Sequence, residues 1–191
     1  MQFLERLLDD TEYLTILKRL EEIEQGRRFC RHGLTHLLDT ARIAWISWLE
    51  WTGSGQGQEW TVSDSDVFLE KEDIYLAALL HDLGRIREYE EGIPHQEAGV
   101  DLAEGLLRKI GYPLDRSNMI IGAIRGHRSG AKLQATVDEN LTAAIEHSEE
   151  KAQTLASLLH WADKRSRNCF YCEAQVDCKW PKEKQNQTII Y

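Results

Sequence analysis

Residues 74–86 read IYLAALLHDLGRI. Ile74 to Leu80 is an unbroken apolar run inside a helix expected over 70–83. A helix that is apolar on nearly all sides has no solvent face, so it is expected to be central and buried. His81 and Asp82 follow at its end. Polar groups placed there are costly unless something satisfies them, and a metal ion would. Neighbouring helical residues point about 100 degrees apart. One of the pair can therefore ligate a metal while the other bridges to a second ion through its two oxygens. A single His-Asp dipeptide is more often a hydrogen-bonded core or surface pair, so its surroundings have to decide.

Working outward, His36 stands early on a helix that begins near Gly33 and carries Leu37, Leu38, Ala41, Ala44, Trp45 and Trp48. Asp163 stands near the end of the last long helix, in LLHWADKRSR. Both are flanked by apolar residues and are expected to face inward. The rest of the chain reads as helical too, with three prolines and apolar positions recurring at three and four residues. A first helix is expected from Phe3 to Gln25, with a stripe of Leu4, Leu7, Leu8, Leu14, Leu17 and Leu20 and a stop at Gly26. Others are expected from Pro94 to Ile110, stopped by Gly111, from Asp115 to His127, and from Asp138 to Lys164. Thr52 to Ser65, rich in Gly, Ser and Gln, reads as a mobile loop that Trp51 and Trp60 could pin, and Ser129 to Val137 as a second loop. The tail after Arg165 reads as irregular. No repeat and no convincing strand is visible.

With 191 residues the chain fits one domain, and its length allows a sizeable core. Its 42% hydrophobic and 29% charged residues exclude disorder for the bulk of the chain. A net charge of −9, from 32 acids against 23 bases, disfavours sequence-independent binding of a nucleic-acid duplex or of an anionic membrane. No apolar run approaches the ~20 residues of a membrane helix, and MQFLERLLDD lacks the layout of a signal peptide. The expected location is cytoplasmic. Nothing in the pattern sets an oligomeric state.

The order His36 … His81-Asp82 … Asp163 resembles the HD superfamily of metal-dependent phosphohydrolases. HLLDTARIA after the first histidine looks like that family's first helix. LAALLHDLGRI looks like its signature, in which a small residue and a base follow the His-Asp pair, and ADKRSR like its closing aspartate segment. The likeness spans roughly residues 28 to 167. It implies an all-α HD-domain bundle of about six to eight helices over 1–167, with the N-terminal helix 1–26 packed on it and a cysteine-bearing tail at 168–191. Binuclear branches carry two more histidines, matched in order by His95 in IPHQEAGVDLAEGLL and His127 in IIGAIRGHRSG. Taken alone, His95 reads as a helix N-terminal residue and His127 as a partner of a helix C-terminus. By the resemblance, His36, His81, Asp82 and Asp163 would hold one metal, and Asp82, His95 and His127 the second, with Asp82 bridging. The short gap from His81 to His95 departs from some binuclear members. His32 and His160 are left unassigned, and His147 reads as solvated.

Imidazole and carboxylate donors suit iron or manganese first, and zinc, nickel or cobalt as well. The resemblance implies attack on phosphorus by a metal-bound hydroxide, with Asp82, Arg85 and Lys164 in the catalytic machinery and Arg85 and Arg128 on the substrate phosphate. Arg85 is expected one helical turn from His81 and facing the same way. Ordinary ion pairs at Arg85 and Lys164 are the alternative. The substrate would be small and phosphorylated. HDLGR, PHQEAG and the AI..H segment look most like hydrolases that split diadenosine tetraphosphate symmetrically, while nucleoside monophosphates, cyclic dinucleotides and (p)ppGpp are alternatives. A di-iron oxygenase resembling myo-inositol oxygenase would use the same ligand set, and a non-enzymatic nucleotide sensor is a third reading.

Cys169, Cys172 and Cys178 lie within ten residues, and Cys30 precedes the His36 helix in FCRH. In an antiparallel bundle the two segments could meet, giving a four-cysteine zinc or iron–sulfur site. Unlinked thiols are the plain alternative.

Overall fold

The structure is a computed structural model. It describes residues 1–54, 67–128 and 142–189, with backbone only at 54 and 142–148. Eight α-helices are described: α1 (Gln2–Asp9), α2 (Tyr13–Ile23), α3 (Leu34–Ser54), α4 (Lys71–Leu80), α5 (Arg85–Glu91), α6 (His95–Lys109), α7 (Leu114–Gly126) and α8 (Thr142–Arg165). No strand occurs among the described residues. The fold class is the all-α bundle expected.

The expected central helix is α4. Ile74, Leu76, Ala77, Ala78, Leu79 and Leu80 are all buried, and α4 packs against α1, α3, α6, α7 and α8. Its first turn is fixed by a capping box, in which Glu70 accepts from the third residue's backbone and Asp73 accepts from Glu70 N. Asp73 is itself buried and accepts from Tyr112 Oη at 2.6 Å and Arg116 Nε at 2.8 Å. That anchors the α6–α7 connection to the start of the central helix. None of the described helices is long and apolar enough to cross a membrane.

Several boundaries differ from the sequence reading. The expected first helix is two, α1 and α2. Thr11 Oγ1 donates to Leu7 O at 2.6 Å and accepts from Tyr13 N at 3.1 Å, so the side chain takes over the backbone groups that a continuous helix would use. The break also splits the leucine stripe: Leu4, Leu7, Leu17 and Leu20 are buried, whereas Leu8 and Leu14 are exposed. The central helix ends at Leu80, and His81 to Gly84 form a turn. The short α5 that follows was not foreseen. Gly92, with φ +75°, ends it in the left-handed region that glycine adopts without a Cβ penalty. Gly111, with φ +68°, follows α6 in the same way. Helix α3 runs on to Ser54, placing Trp51 on it with its ring 5.1 Å from that of Trp48. The remainder of the expected loop after Ser54 to Ser65, Trp60, the Ser129–Val137 loop and the start of the last helix lie outside the described residues. So does the side chain of His147. The tail folds as three single 3₁₀ turns, Cys169–Tyr171, Gln175–Asp177 and Lys182–Lys184.

Candidate metal centre

Helix α3 supplies His36, the turn after α4 supplies His81 and Asp82, α6 opens with His95, α7 is closed by His127, and α8 supplies Asp163. These are the six residues proposed as ligands from sequence, and the fold brings them together. Asp82 is at their centre. Its Oδ2 lies 3.1 Å from His81 Nε2 and 3.4 Å from His36 Nε2, and its Oδ1 lies 3.5 Å from His95 Nε2. His36 Nε2 is also 3.3 Å from Asp163 Oδ1. The His127 ring lies 5.2 Å from that of His81 and 5.4 Å from that of His95. Two sets have donor atoms all within 4.8 Å of one another: His36, His81, Asp82 and Asp163, and Asp82, His95 and His127.

Each imidazole is oriented through its other nitrogen. His81 Nδ1 donates to Ala78 O at 2.7 Å and His127 Nδ1 to Ile124 O at 2.6 Å. A carbonyl can only accept, so the proton sits on Nδ1 and the Nε2 lone pair is turned inward. Ser166 Oγ donates to Asp163 O at 2.8 Å, which leaves it to accept from His36 Nδ1 at 2.9 Å. His95 Nδ1 faces Glu88 Oε1 at 3.2 Å. Outer partners of this kind fix the ring and tautomer of metal-binding histidines. His36 Nε2, His81 Nε2 and Asp82 Oδ2 are buried without a hydrogen-bond partner. Orphaned acceptors converging on one carboxylate fit a cation between them, so the residues present match a divalent metal.

The electrostatics follow from the crowding. Burial opposes charge on His36, but Asp163 and Asp82 outweigh it and hold its pKa up at about 9. Burial likewise opposes charge on Asp82 and Asp163, yet the surrounding imidazoles, with Arg167 beside Asp163, keep both carboxyls below the usual range. At His127 burial, with His81 nearby, outweighs the pull of Asp82 and pushes the pKa down to about 4. Burial and Arg85 lower His95.

A cavity of about 590 Å³ opens onto the cluster. Arg85, Arg128 and Lys164 all line it. Arg85 is not on the helix of His81, as expected, but opens α5. It nevertheless reaches Asp82 Oδ1 at 3.2 Å and Glu88 Oε2 at 2.6 Å, so its guanidinium is in ion pairs. Arg128 Nη1 is 3.5 Å from Glu88 Oε1. Lys164 Nζ lies against His160 Nε2, and burial lowers its pKa. His160 Nδ1 donates to His127 O at 2.7 Å. Sequence reasoning left His32 out, and the structure puts it at the cluster. It precedes α3, is buried, and holds Nε2 4.0 Å from Asp82 Oδ2. Its Nδ1 is paired with Glu24 at 2.5 Å. Glu88, Arg167 and the tail residues Lys179, Trp180 and Lys184 were also missed. Nearness to His36 in sequence was a usable signal for His32; the tail gave none.

An all-helical bundle that gathers buried imidazoles and carboxylates from five segments is the build of a metal-binding helical domain. Comparison with known proteins makes this specific. The HD domain model matches residues 33–168, and the chain belongs to the HD domain family. HD domains bind divalent metals, and the superfamily is one of metal-dependent phosphohydrolases. A relative from Clostridium beijerinckii, known as an uncharacterized protein, is 33% identical over 185 residues, covering 97% of this chain and 96% of its own length. The fold is similar to the crystal structure of a predicted HD superfamily hydrolase from an uncultured Thermotogales bacterium, with a TM-score of 0.54, 19% identity, and 92% of this chain and 80% of that one covered. None of these points to the diadenosine-tetraphosphate branch.

Proposed function

We propose that the chain is a metal-dependent phosphohydrolase acting on a nucleotide or dinucleotide polyphosphate. The observation that carries this reading is the charge of the cavity. In a chain of net charge −9, Arg27, Arg85, Arg128, Lys164, Arg167, Lys179 and Lys184 all line the space beside the His/Asp cluster. Bases concentrated there attract a polyanion. Phe29 and Trp180 line the same cavity and offer aromatic faces for a base.

In this reading His36, His81, Asp82 and Asp163 hold one ion, and Asp82, His95 and His127 the other. The donor set accepts iron or manganese, and equally zinc, nickel or cobalt. An ion held there supplies Lewis acidity, which lowers the pKa of a water and offsets phosphate charge. Arg85, steadied by Glu88, neutralises phosphate beside Asp82. Lys164 and Arg128 take the outer phosphates, and the Lys164 ammonium is placed to give its proton to a leaving oxygen. Apolar α4 behind His81 closes the floor to water.

The test is product release from a panel of nucleoside mono-, di- and triphosphates and dinucleoside polyphosphates, with iron- or manganese-loaded protein. Asp82→Ala should lose metal and activity while keeping most of its helicity. Full activity in that variant would overturn the site assignment. Oxygen uptake by the iron form without phosphate release would favour the oxygenase reading. Tight nucleotide binding without turnover would favour a sensor.

A further inference from the structure

The four cysteines take no part in the function proposed above. Cys30 precedes α3, and the other three follow α8. All four nevertheless line one cavity of about 310 Å³. None is in a disulfide and each is half-buried. The tail that brings them together has almost no core of its own. Ala174 is buried, but Phe170 is 42%, Tyr171 85% and Val176 95% exposed. Apolar burial therefore does little to hold residues 168–189 in place, and segments with this little core are commonly stapled by a metal or a disulfide. Among the described residues the tail is tied by Arg28 to Asp177 at 2.6 Å, by Asn186 Nδ2 donating to Arg165 O at 2.9 Å, and by the Arg167 guanidinium over the Trp180 ring at 4.3 Å. Arg28, Arg31 and Arg167 line the cysteine cavity. Three guanidiniums there would offset the net negative charge of a four-thiolate metal centre, while burial pushes the Cys30 thiol up against the pull of Arg167.

We infer that Cys30, Cys169, Cys172 and Cys178 hold a second metal centre, a four-thiolate site separate from the His/Asp cluster. Cys169 and Cys172 have the two-residue spacing of such sites, and the 3₁₀ turn at Cys169–Tyr171 sets them side by side, with Cys172 N donating to Cys169 O at 3.3 Å. A single zinc with bonds of about 2.3 Å would draw its sulfurs to roughly 3.8 Å from one another. Among the described residues, no cysteine belongs to a group of three or more donors within 4.8 Å of one another. An iron–sulfur cluster, several atoms across, fits the wider cavity better. The centre would fasten the tail to the start of α3. Cys30, Cys178 and Arg167 also line the larger cavity, so it would hold part of the wall of the candidate active site.

The experiment is metal and acid-labile sulfide analysis of the full chain purified without oxygen, beside Asp82→Ala and Cys172→Ser. Iron with sulfide and visible charge-transfer absorbance, kept in Asp82→Ala and lost in Cys172→Ser, supports a cluster. One zinc per chain without sulfide, kept and lost in the same way, supports the centre as a zinc staple. In both cases the tail becomes sensitive to limited proteolysis in Cys172→Ser while helicity is retained. Metal content equal to wild type in Cys172→Ser overturns the inference. So does rapid reaction of all four thiols in the native wild-type chain, or recovery of disulfides on mass analysis. The two arms separate this centre from the His/Asp site, which responds to Asp82→Ala alone.

Discussion

Gly84 gives the most direct test of how the bundle positions its histidines. It has ordinary right-handed helical angles, φ −62° and ψ −11°, so its conformation does not require glycine. Its surroundings do. A Cβ there would lie 2.1 Å from His95 O, 2.4 Å from Gly99 N and 2.8 Å from Gly99 Cα. All three are backbone atoms of α6, which cannot swing aside as a side chain can. Ordinary contact begins near 3.4 Å, so the start of α6 would have to retreat by about 1.3 Å. His95 opens that helix with Nε2 3.5 Å from Asp82 Oδ1, and metal–ligand distances tolerate only about 0.2 Å. On the proposed two-ion reading, Gly84→Ala should therefore lose the ion on the His95–His127 side and keep the one on the His36–Asp163 side. Overpacking of this kind costs about 1–3 kcal/mol, and each kcal/mol lowers Tm by roughly 2–4 °C at this size. Elemental analysis and thermal unfolding read both effects. Gly105→Ala is the control: it lies on the same helix with nothing within 4 Å of the new Cβ. It should keep its metal and hold or raise Tm, because alanine is favoured over glycine in a helix by up to about 1 kcal/mol. Wild-type metal content and Tm in Gly84→Ala would refute the argument that this close approach sets the site.

Asp73→Ala removes a helix cap and the acceptor shared by Tyr112 Oη and Arg116 Nε, leaving two donors without it. The expected loss is about 3 kcal/mol in denaturant unfolding, and a loss below about 1 kcal/mol would show that water or Glu70 compensates. Glu24 supplies a pH dependence. Burial raises its pKa, but hydrogen bonds from His32 and Tyr89 outweigh that and bring it down from 4.5 to about 2. A carboxyl whose pKa falls on folding adds stability above its unfolded value and loses it as the pH drops through the folded one. Between pH 4.5 and pH 2 wild-type stability should therefore fall more steeply than that of Glu24→Gln; parallel curves would show that Glu24 carries no such linkage.

What could be read from sequence follows the physics of burial. His81 and Asp82 stand out because they terminate an apolar run, and a polar pair there demands a partner. His36, His95, His127 and Asp163 become legible in order around them. The α1–α2 break was hidden because the leucine stripe runs through it, and only the Thr11 hydroxyl marks the interruption. Helix α5 was hidden because RIREYEE has no apolar stripe: none of its residues is buried, and it is held by Arg85 and Arg87 ion pairs and by contact with α6. The tail's place beside the cavity depends on contacts 130 residues apart, such as Ser166 to His36, for which periodicity has no signal.

His32 shows why placement alone leaves its role unresolved. It is as buried as the other histidines and aims Nε2 toward the same carboxylate oxygen, but from 4.0 Å. Behind the rings, His81 and His127 are held by carbonyls and His36 by a hydroxyl, while His32 Nδ1 is held by the Glu24 carboxylate and His95 Nδ1 faces that of Glu88. A carboxylate behind the ring is itself a common partner of metal-binding imidazoles, so the outer partner does not set His32 apart from His95. Reach separates them instead: His81, His36 and His95 bring Nε2 to 3.1, 3.4 and 3.5 Å from Asp82, whereas His32 stands back at 4.0 Å, on the rim of the cluster rather than within its ligand distances. The histidines gathered at this end of the bundle thus divide by their reach to Asp82, which no spacing in the sequence records.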